Sequence, residues 1–581
     1  DHPSFEGKHL GTEGVLFRNS WNGKSKGNHG SHVAGIILGK KINDNEPYGV
    51  AHNAKFYNLG AIEEKYYNDI GGNAVNNAFK NKDIKVINHS WGKGLYPLID
   101  MQLKGNRYRD LLRDIKSQYP RNWGHKNKID HDIVNWLAGK DTQDLIALSK
   151  DDKILNVFAA GNSGIISSSI DSVVPSYDED IRAWLNVGNL NALNAEKNAD
   201  GSITLKNDFQ ISWNDAESKD FYGRPTQWIG IDGSLLSSQL FVGSTNYSLL
   251  APGYQILAAN ANYQGRGEQK YVPMTGTSMA APMVSGAAAL VAQKYPFLDG
   301  AGIADVLLTT ANKNLNLPDV VVKPIDGGRS GYYVVYLNKN IPTDRYGNII
   351  ANQIQQDILK TGIPAYTRDQ SIAVNKIMAR IKNSNGSINR NYVFKLTQEE
   401  YAGQGVLDVE KALKGLAILD LNRLNNKDIE RFGNENIAFY TIDTKGYNGE
   451  FSNDISQQTW LNSRHLGDDV AINKLNIEYR NINKIGLKKQ GGGHLILSGK
   501  NSYEGPTRTV GGVIQLRGNN YKKASIKGDT YVENQNSGMI ISDAIVEKNA
   551  FVGNNGILQI ENFADIYGKV IAYNGGALNS M

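Results

Sequence analysis

The chain has 581 residues and not one cysteine. That absence excludes disulfide staples, thiolate metal sites and a thiol nucleophile. No stretch reaches the roughly 18 consecutive apolar residues of a membrane-spanning helix. The 63 basic side chains nearly balance 58 acidic ones, leaving a net charge of +5. No basic run is interleaved with aromatics, so nothing implies nucleic acid as a partner. Acidic residues form no compact cluster of the kind that cages calcium. Histidines number ten, which leaves few candidates for proton transfer near neutral pH.

Among what is present, "GTSMAAPMVSG", Gly276 to Gly286, stands out. Met279 to Leu290 holds five alanines and one glycine, so this helical run can lie close against a neighbouring sheet. Ser278 near its head has two readings. It caps the helix, taking up a free backbone N–H, or it is a nucleophile held where the positive end of the helix dipole favours developing negative charge. The G-x-S-x-G elbow of α/β-hydrolases is not matched, because Ala280 stands at its last position.

A serine nucleophile needs a base. "GNHGSHVAG", Gly27 to Gly35, places His29 among small residues just before an apolar run. A locally bonded loop histidine reads the same way. His29 and His32 lie three apart, but no Glu, Asp or Cys is close enough to complete a zinc motif. "NVFAAGNSG", Asn156 to Gly164, has the pattern of a buried strand ending in a turn, and Asn162 is either a turn residue or an amide donor for an oxyanion.

In the order His29, Asn162, Ser278, these stretches closely resemble the subtilisin-like serine peptidases, the subtilases. "HGSHVAG" is similar to that family's histidine motif, "AAGNSG" to its oxyanion-hole motif and "GTSMAAPMVSG" to its serine motif. The resemblance implies Ser278 as nucleophile, His29 as general base and acid, and Asn162 as oxyanion donor beside the Ser278 backbone N–H. "VINHSWGKG", Val86 to Gly94, resembles the strand that pairs with an extended peptide substrate, here through Ser90, Trp91 and Gly92. Ala160 and Gly161 are implied substrate contacts as well. Main-chain bonds would then hold the peptide and pockets would sort its side chains. The Trp91 ring either narrows such a pocket or packs beneath the sheet. The implied partners are protein and peptide substrates. No cofactor is required and no metal ligand is assigned; calcium is a family expectation without a site.

One departure concerns the third triad member. Subtilases carry their aspartate on a strand shortly before a His-Pro dipeptide, and here His2-Pro3 follows Asp1 directly. The matching aspartate is therefore expected upstream of residue 1, and the 581-residue chain by itself is expected to show little peptidase activity.

Along the first 419 residues, apolar strands such as "AKFYNLGAI" and "KVINHSW" alternate with helical runs, the pattern of a parallel sheet covered on both faces. Segments near 100–153, 192–240 and 313–400 have the look of insertions, either surface decoration or loops that set substrate choice. Beyond Leu419, short β-prone runs are separated by Gly and Asn turns, which suits a β-solenoid or an all-β sandwich. "IGLKKQGGGHLILSGKNSYEGPTRTVGGVIQL", Ile485 to Leu516, resembles the passenger-associated repeat of bacterial autotransporters, which implies a right-handed parallel β-helix.

The expected fold is thus an α/β subtilisin-like domain with a parallel sheet over residues 1–419, followed by an all-β right-handed parallel β-helix region over 420–581. The rungs are expected to bury their apolar faces against one another and not against the catalytic sheet, so that a chain ending near Leu419 would still fold. The expected function is a secreted serine endopeptidase, the passenger of a subtilase autotransporter, at the bacterial surface. Its outer-membrane attachment would come only through a C-terminal β-barrel beyond Met581. A non-catalytic adhesin on a subtilase scaffold is the alternative, and a lipase or esterase a more distant one. Nothing in the sequence bears on oligomeric state.

Overall fold

Segments that are apolar on both faces must be covered on both faces, and the strands at the centre of the first region behave in this way. The computed structural model describes residues 2–13, 28–59, 83–92, 142–176, 178, 180–207, 209–212, 228–231, 235, 237–325, 331–361, 368–461, 481–519 and 521–580. Strand β1 (His9–Glu13) pairs in parallel with β2 (Phe56–Leu59). Strands β3 (Val86–His89), β4 (Leu155–Ala159), β5 (Trp184–Leu190) and β6 (Ser248–Pro252) form a parallel sheet in spatial order β6-β5-β4-β3. Its register pairs Val86 with Leu155, Asn156 with Trp184 and Asn186 with Ser248. All of β4 and β5 is buried.

Helix α1 (Asn28–Leu38) leads towards the hairpin of β7 (Ile256–Ala259) and β8 (Tyr271–Met274). Helix α2 (Thr277–Lys294) lies across β3, β4, β5 and β6, where its alanines allow a close approach, while Gly286 makes room for Val50 and the Ile37 carbonyl. Helix α3 (Gly300–Thr310) follows, capped by Asp299, whose carboxylate accepts the Gly302 N–H at 2.8 Å.

The segment near 313–400 is more than decoration. Its antiparallel strands Val320–Ile325 and Gly331–Tyr336 alternate between two cores. Val320, Val322, Tyr332, Val334 and Tyr336 pack against the helices Ala351–Leu359 and Arg368–Ile381. Val321, Tyr333 and Val335 point the other way, into a cluster with Ala160, Ile165 and Ile166. The insertion therefore buttresses the loop after β4. Of the other two insertions, residues 93–141 and 213–227 lie outside the described residues. Residues 142–148 are helical, and short strands occupy Ala195–Lys197, Ile203–Leu205, Phe209–Ser212 and Trp228–Ile231.

Beyond Leu419 the chain passes in turn through three sheets, parallel apart from the edge strand Ile429–Phe432, which runs antiparallel to Glu435–Asp443. One contains Glu435–Asp443, Ile485–Gln490, Thr507–Thr509, Thr530–Val532, Ala550–Val552 and Val570–Ala572. A second runs from Gly449–Phe451 to Ala577–Ser580, and a third from Lys500–Asn501 to Asp565–Ile566. Thr530 pairs with Ala550 and Ala550 with Val570, so the same position returns every 20 residues. Inward positions carry Ala, Val, Ile or Thr, with the residue between them half-buried, as a stacked strand requires.

The expected independence of this region from the first one is not what the structure shows; the contacts are made through α3 and the end of α2. Leu416, Leu419, Leu421, Tyr440 and Phe451 share one buried cluster with Tyr295, Phe297 and Leu307. The Tyr295 and Phe451 rings meet edge to face at 5.3 Å. Beside them, Asp305 of α3 accepts from Arg182 at 2.9 Å, from Arg423 at 2.7 Å and from the Tyr440 hydroxyl. A run of apolar residues near the boundary is compatible with either arrangement; only the packing of α3 against the following strands distinguishes them.

Candidate active site

Parallel sheets collect function at the C-terminal ends of their strands, where loops turn towards the flanking helices. The candidate residues converge there. β3 ends in Ser90, Trp91 and Gly92; β4 ends in Ala160, Gly161 and Asn162; and α2 presents Ser278 in its first turn. The helix N-cap is Gly276, with no side-chain cap bond, so capping is not the role of Ser278. Its hydroxyl donates to Ser90 O at 3.3 Å.

Pro282 explains the reverse contact. Lacking an N–H, it leaves the Ser278 carbonyl without an intrahelical partner. Ser90 Oγ donates to that carbonyl at 2.9 Å and joins the end of β3 to the head of α2. Asn88 adds a second tie, donating to Ser90 Oγ at 2.9 Å and accepting from Ser285 Oγ at 2.9 Å.

Thr277, buried beside Ser278, is the residue that sequence reasoning left without a role. Its N–H and its hydroxyl both donate to Asn162 Oδ1, at 2.9 and 3.1 Å, while its Oγ1 accepts the Gly161 N–H at 3.2 Å. With Oδ1 engaged twice, Asn162 Nδ2 is the amide atom left to donate outwards. Gly276 makes room for the amide. It has φ +149°, and a Cβ there would stand 3.3 Å from Asn162 Nδ2. Thr277 lay within the quoted serine motif, but only the contact across 115 positions reveals what it holds.

His29 opens α1 with its side chain exposed. Surrounding protein still desolvates the imidazole and lowers its pKa from the ordinary value, which favours the neutral, proton-accepting form. One turn on, Val33 and Ile36 share a small apolar cluster with Met279, the neighbour of Ser278, so the heads of α1 and α2 are brought together. No described carboxylate acts on His29, whose shift has burial as its single cause. Asp1 lies outside the described residues.

His32 is occupied differently. Its Nε2 lies 2.9 Å from both Ile256 O and Val272 O, pinning α1 to the β7–β8 hairpin. Among the described residues, no three His, Asp or Glu side chains are grouped to hold a metal ion. The Trp91 ring packs edge-on against His89 and Phe158, at 5.7 and 5.5 Å. The ring is half-buried against the core, and Gly92 beside it is exposed.

Comparison with known proteins shows the family. Residues 2–348 match the Subtilase family, peptidase S8. The chain belongs to the subtilases. An extracellular serine protease of Serratia marcescens is 27% identical to this subtilase over 336 residues, covering 53% of the chain and 28% of the relative. The Neisserial autotransporter lipoprotein NalP of Neisseria meningitidis serogroup B is 22% identical over 575 residues, covering 94% of the chain and 38% of the relative. The subtilase chain thus spans well under half the length of these curated relatives. Among solved structures, a cold adapted subtilisin-like serine proteinase aligns at 20% identity with a TM-score of 0.29, over 54% of this chain and 80% of that one.

Proposed function

We propose that this subtilase is the protease-bearing part of a secreted serine endopeptidase exported as an autotransporter passenger. The observation that carries the catalytic reading is the Thr277 clamp, which orients the Asn162 amide beside Ser278 at the head of α2. Ser278 Oγ would attack the peptide carbonyl, with its proton passing to His29. The developing oxyanion would be met by Asn162 Nδ2 and by the Ser278 N–H, which as a first-turn donor has no intrahelical acceptor. His29 would then protonate the leaving amine, and water would release the acyl group. The triad carboxylate that orients His29 in other subtilases has no described counterpart. Among the described residues, no cluster of acidic side chains is of a kind that would cage calcium.

The substrate is read as an extended peptide lying along Ser90–Gly92 at the edge of the sheet. Export and surface display are supported by the extracellular and autotransporter relatives, with 94% of this chain aligned to the latter. We read the three sheets as a right-handed β-helix stalk; parallel pairing from Glu435–Asp443 onward, with a 20-residue return in the last rungs, disfavours a sandwich, whose sheets are antiparallel. Attachment to the outer membrane would fall to a C-terminal barrel.

The test is hydrolysis of matched peptide and ester substrates by the full-length protein, with fluorophosphonate labelling and a Ser278→Ala control. Ser278-dependent peptide cleavage is expected. Peptide binding without turnover would favour the adhesin, and turnover of esters alone would favour an esterase.

A further inference from the structure

We propose that the lysine-lined cavity beyond the C-terminal end of α1 is an anion site that binds a phosphomonoester group, carried by a small molecule or by a lipid headgroup. Three chain segments wall this cavity of about 430 Å³. Glu6, Gly7 and Lys8 lead into β1, Lys40 and Lys41 follow α1, and His52, Asn53 and Lys55 lead into β2. His29 lies in the first turn of the 11-residue α1, so the cavity is on the order of 15 Å from it along the helix and separate from the candidate active site.

The walls are bonded to one another. The Lys40 N–H donates to Ser4 O at 2.8 Å, and the Phe56 N–H donates to Lys8 O at 3.0 Å. Lys8 is 7% exposed, and its Nζ donates to His52 O and, at 3.2 Å, to Ala54 O. An ammonium has three N–H donors, so one remains for a ligand in the cavity that Lys8 lines.

Charge is not balanced across these walls. A buried lysine is ordinarily paired with a carboxylate, but the partners of Lys8 are neutral carbonyls. Glu6 pairs with Lys40 at 2.8 Å and Asp44 with Lys41 at 2.7 Å, both in exposed positions where water screens the pair. Among the described residues Lys55 has no ion-pair partner, and Glu6 is the one carboxylate in the lining. Two positive charges, on Lys8 and Lys55, are thus uncompensated on two walls. Burial, and after it the charge of Lys40, lower the Lys8 pKa from its ordinary value, the direction for a cation lacking a counter-ion.

A phosphomonoester carries about two negative charges and three acceptor oxygens near neutral pH, which matches two free ammonium groups with the Asn53 amide beside them. A single carboxylate would leave one charge unmet. The volume falls within the roughly 300–1,000 Å³ of small-molecule sites, which leaves room for the group that bears the phosphate.

The experiment has two arms, both on the full-length protein. Calorimetric titration with glucose 6-phosphate, glucose and acetate tests a soluble ligand; sedimentation with phosphatidylcholine vesicles, with and without phosphatidic acid, tests a lipid headgroup. In the arm that holds the true source, one-to-one or phosphatidic acid-dependent binding is expected, with glucose, acetate or plain vesicles at least about tenfold weaker. Lys55→Gln, an exposed change with no bond to lose in the fold, should weaken binding by about tenfold. Lys8→Met should weaken it at least as much, whereas Glu6→Gln, which releases Lys40, should tighten it about two- to threefold. Binding in neither arm, equal affinity for acetate, or affinity unchanged in Lys55→Gln would overturn the proposal.

Discussion

Replacing Arg423 by methionine probes whether the catalytic sheet and the following region are one folding unit. Arg423 is 3% exposed and Asp305 is 1% exposed, so their bond is formed away from water. The guanidinium donates to Asp305 at 2.7 Å and, through Nη2, to Arg182 O at 2.6 Å. Methionine keeps most of the apolar stem, so the loss falls on two charge-assisted bonds, each worth about 1.5–3 kcal/mol. Asp305 retains Arg182 and Tyr440, which softens the penalty of a stranded carboxylate. The expected cost is about 3–4 kcal/mol, within the range for removing one partner of a buried pair. Urea unfolding of the full-length protein would be followed by tryptophan fluorescence, where Trp184 is buried in the catalytic sheet, and by circular dichroism of the β-rich region. The wild type should unfold with coincident transitions, and the variant should shift to lower urea with the two signals separating. A variant within about 1 kcal/mol of wild type, with transitions still coincident, would refute the reasoning.

Four further outcomes are expected, the first from the contacts around Asp305 and the others from the candidate site and from His89. A chain ending near Leu419 removes Arg423, Tyr440 and Phe451 from around Asp305 and Tyr295, and should give little soluble protein; a soluble product as resistant to proteolysis as the parent would show that the sheet closes its own core. Asn162→Ala should lower kcat by about 10²–10³ with little change in KM. Thr277→Val should lose part of that factor, and the double variant should be no worse than Asn162→Ala, because both remove the same oriented amide; additive losses in steady-state kinetics would place Thr277 elsewhere. Burial pushes the His89 pKa down to about 4 from 6.5, against the opposing effect of its bond to Asn156. The unfolded chain therefore takes up this proton first as pH falls, so the His89 contribution is complete above 6.5 and is lost between 6.5 and 4. That gap corresponds to about 3 kcal/mol. His89→Met should flatten the fall in unfolding free energy over this interval, and an unchanged pH dependence would assign it to other groups.

The family motifs were legible because each packs a few adjacent residues whose types leave few alternatives. The small-residue run after Ser278 announced a helix pressed on a sheet, and the strand-then-turn pattern ending at Asn162 announced the end of β4. The strand-rich character beyond Leu419 was legible for the same reason, since inward and outward positions alternate locally. What the sequence could not convey were the contacts made at long range. Thr277 and Asn162 lie 115 positions apart, Ser90 and Ser278 lie 188 apart, and Arg423 and Asp305 lie 118 apart. No periodicity or motif links such pairs, because a hydrogen bond depends on where the fold brings two atoms and not on their spacing along the chain. The 313–400 segment misled for a related reason: it had the look of an insertion at the surface, and nothing in its sequence states which second surface will cover the other face of its strands. Tertiary structure decided that this surface is the loop carrying Asn162, and that the core continues past Leu419, because burying apolar area is non-directional and takes whichever complementary face the topology presents.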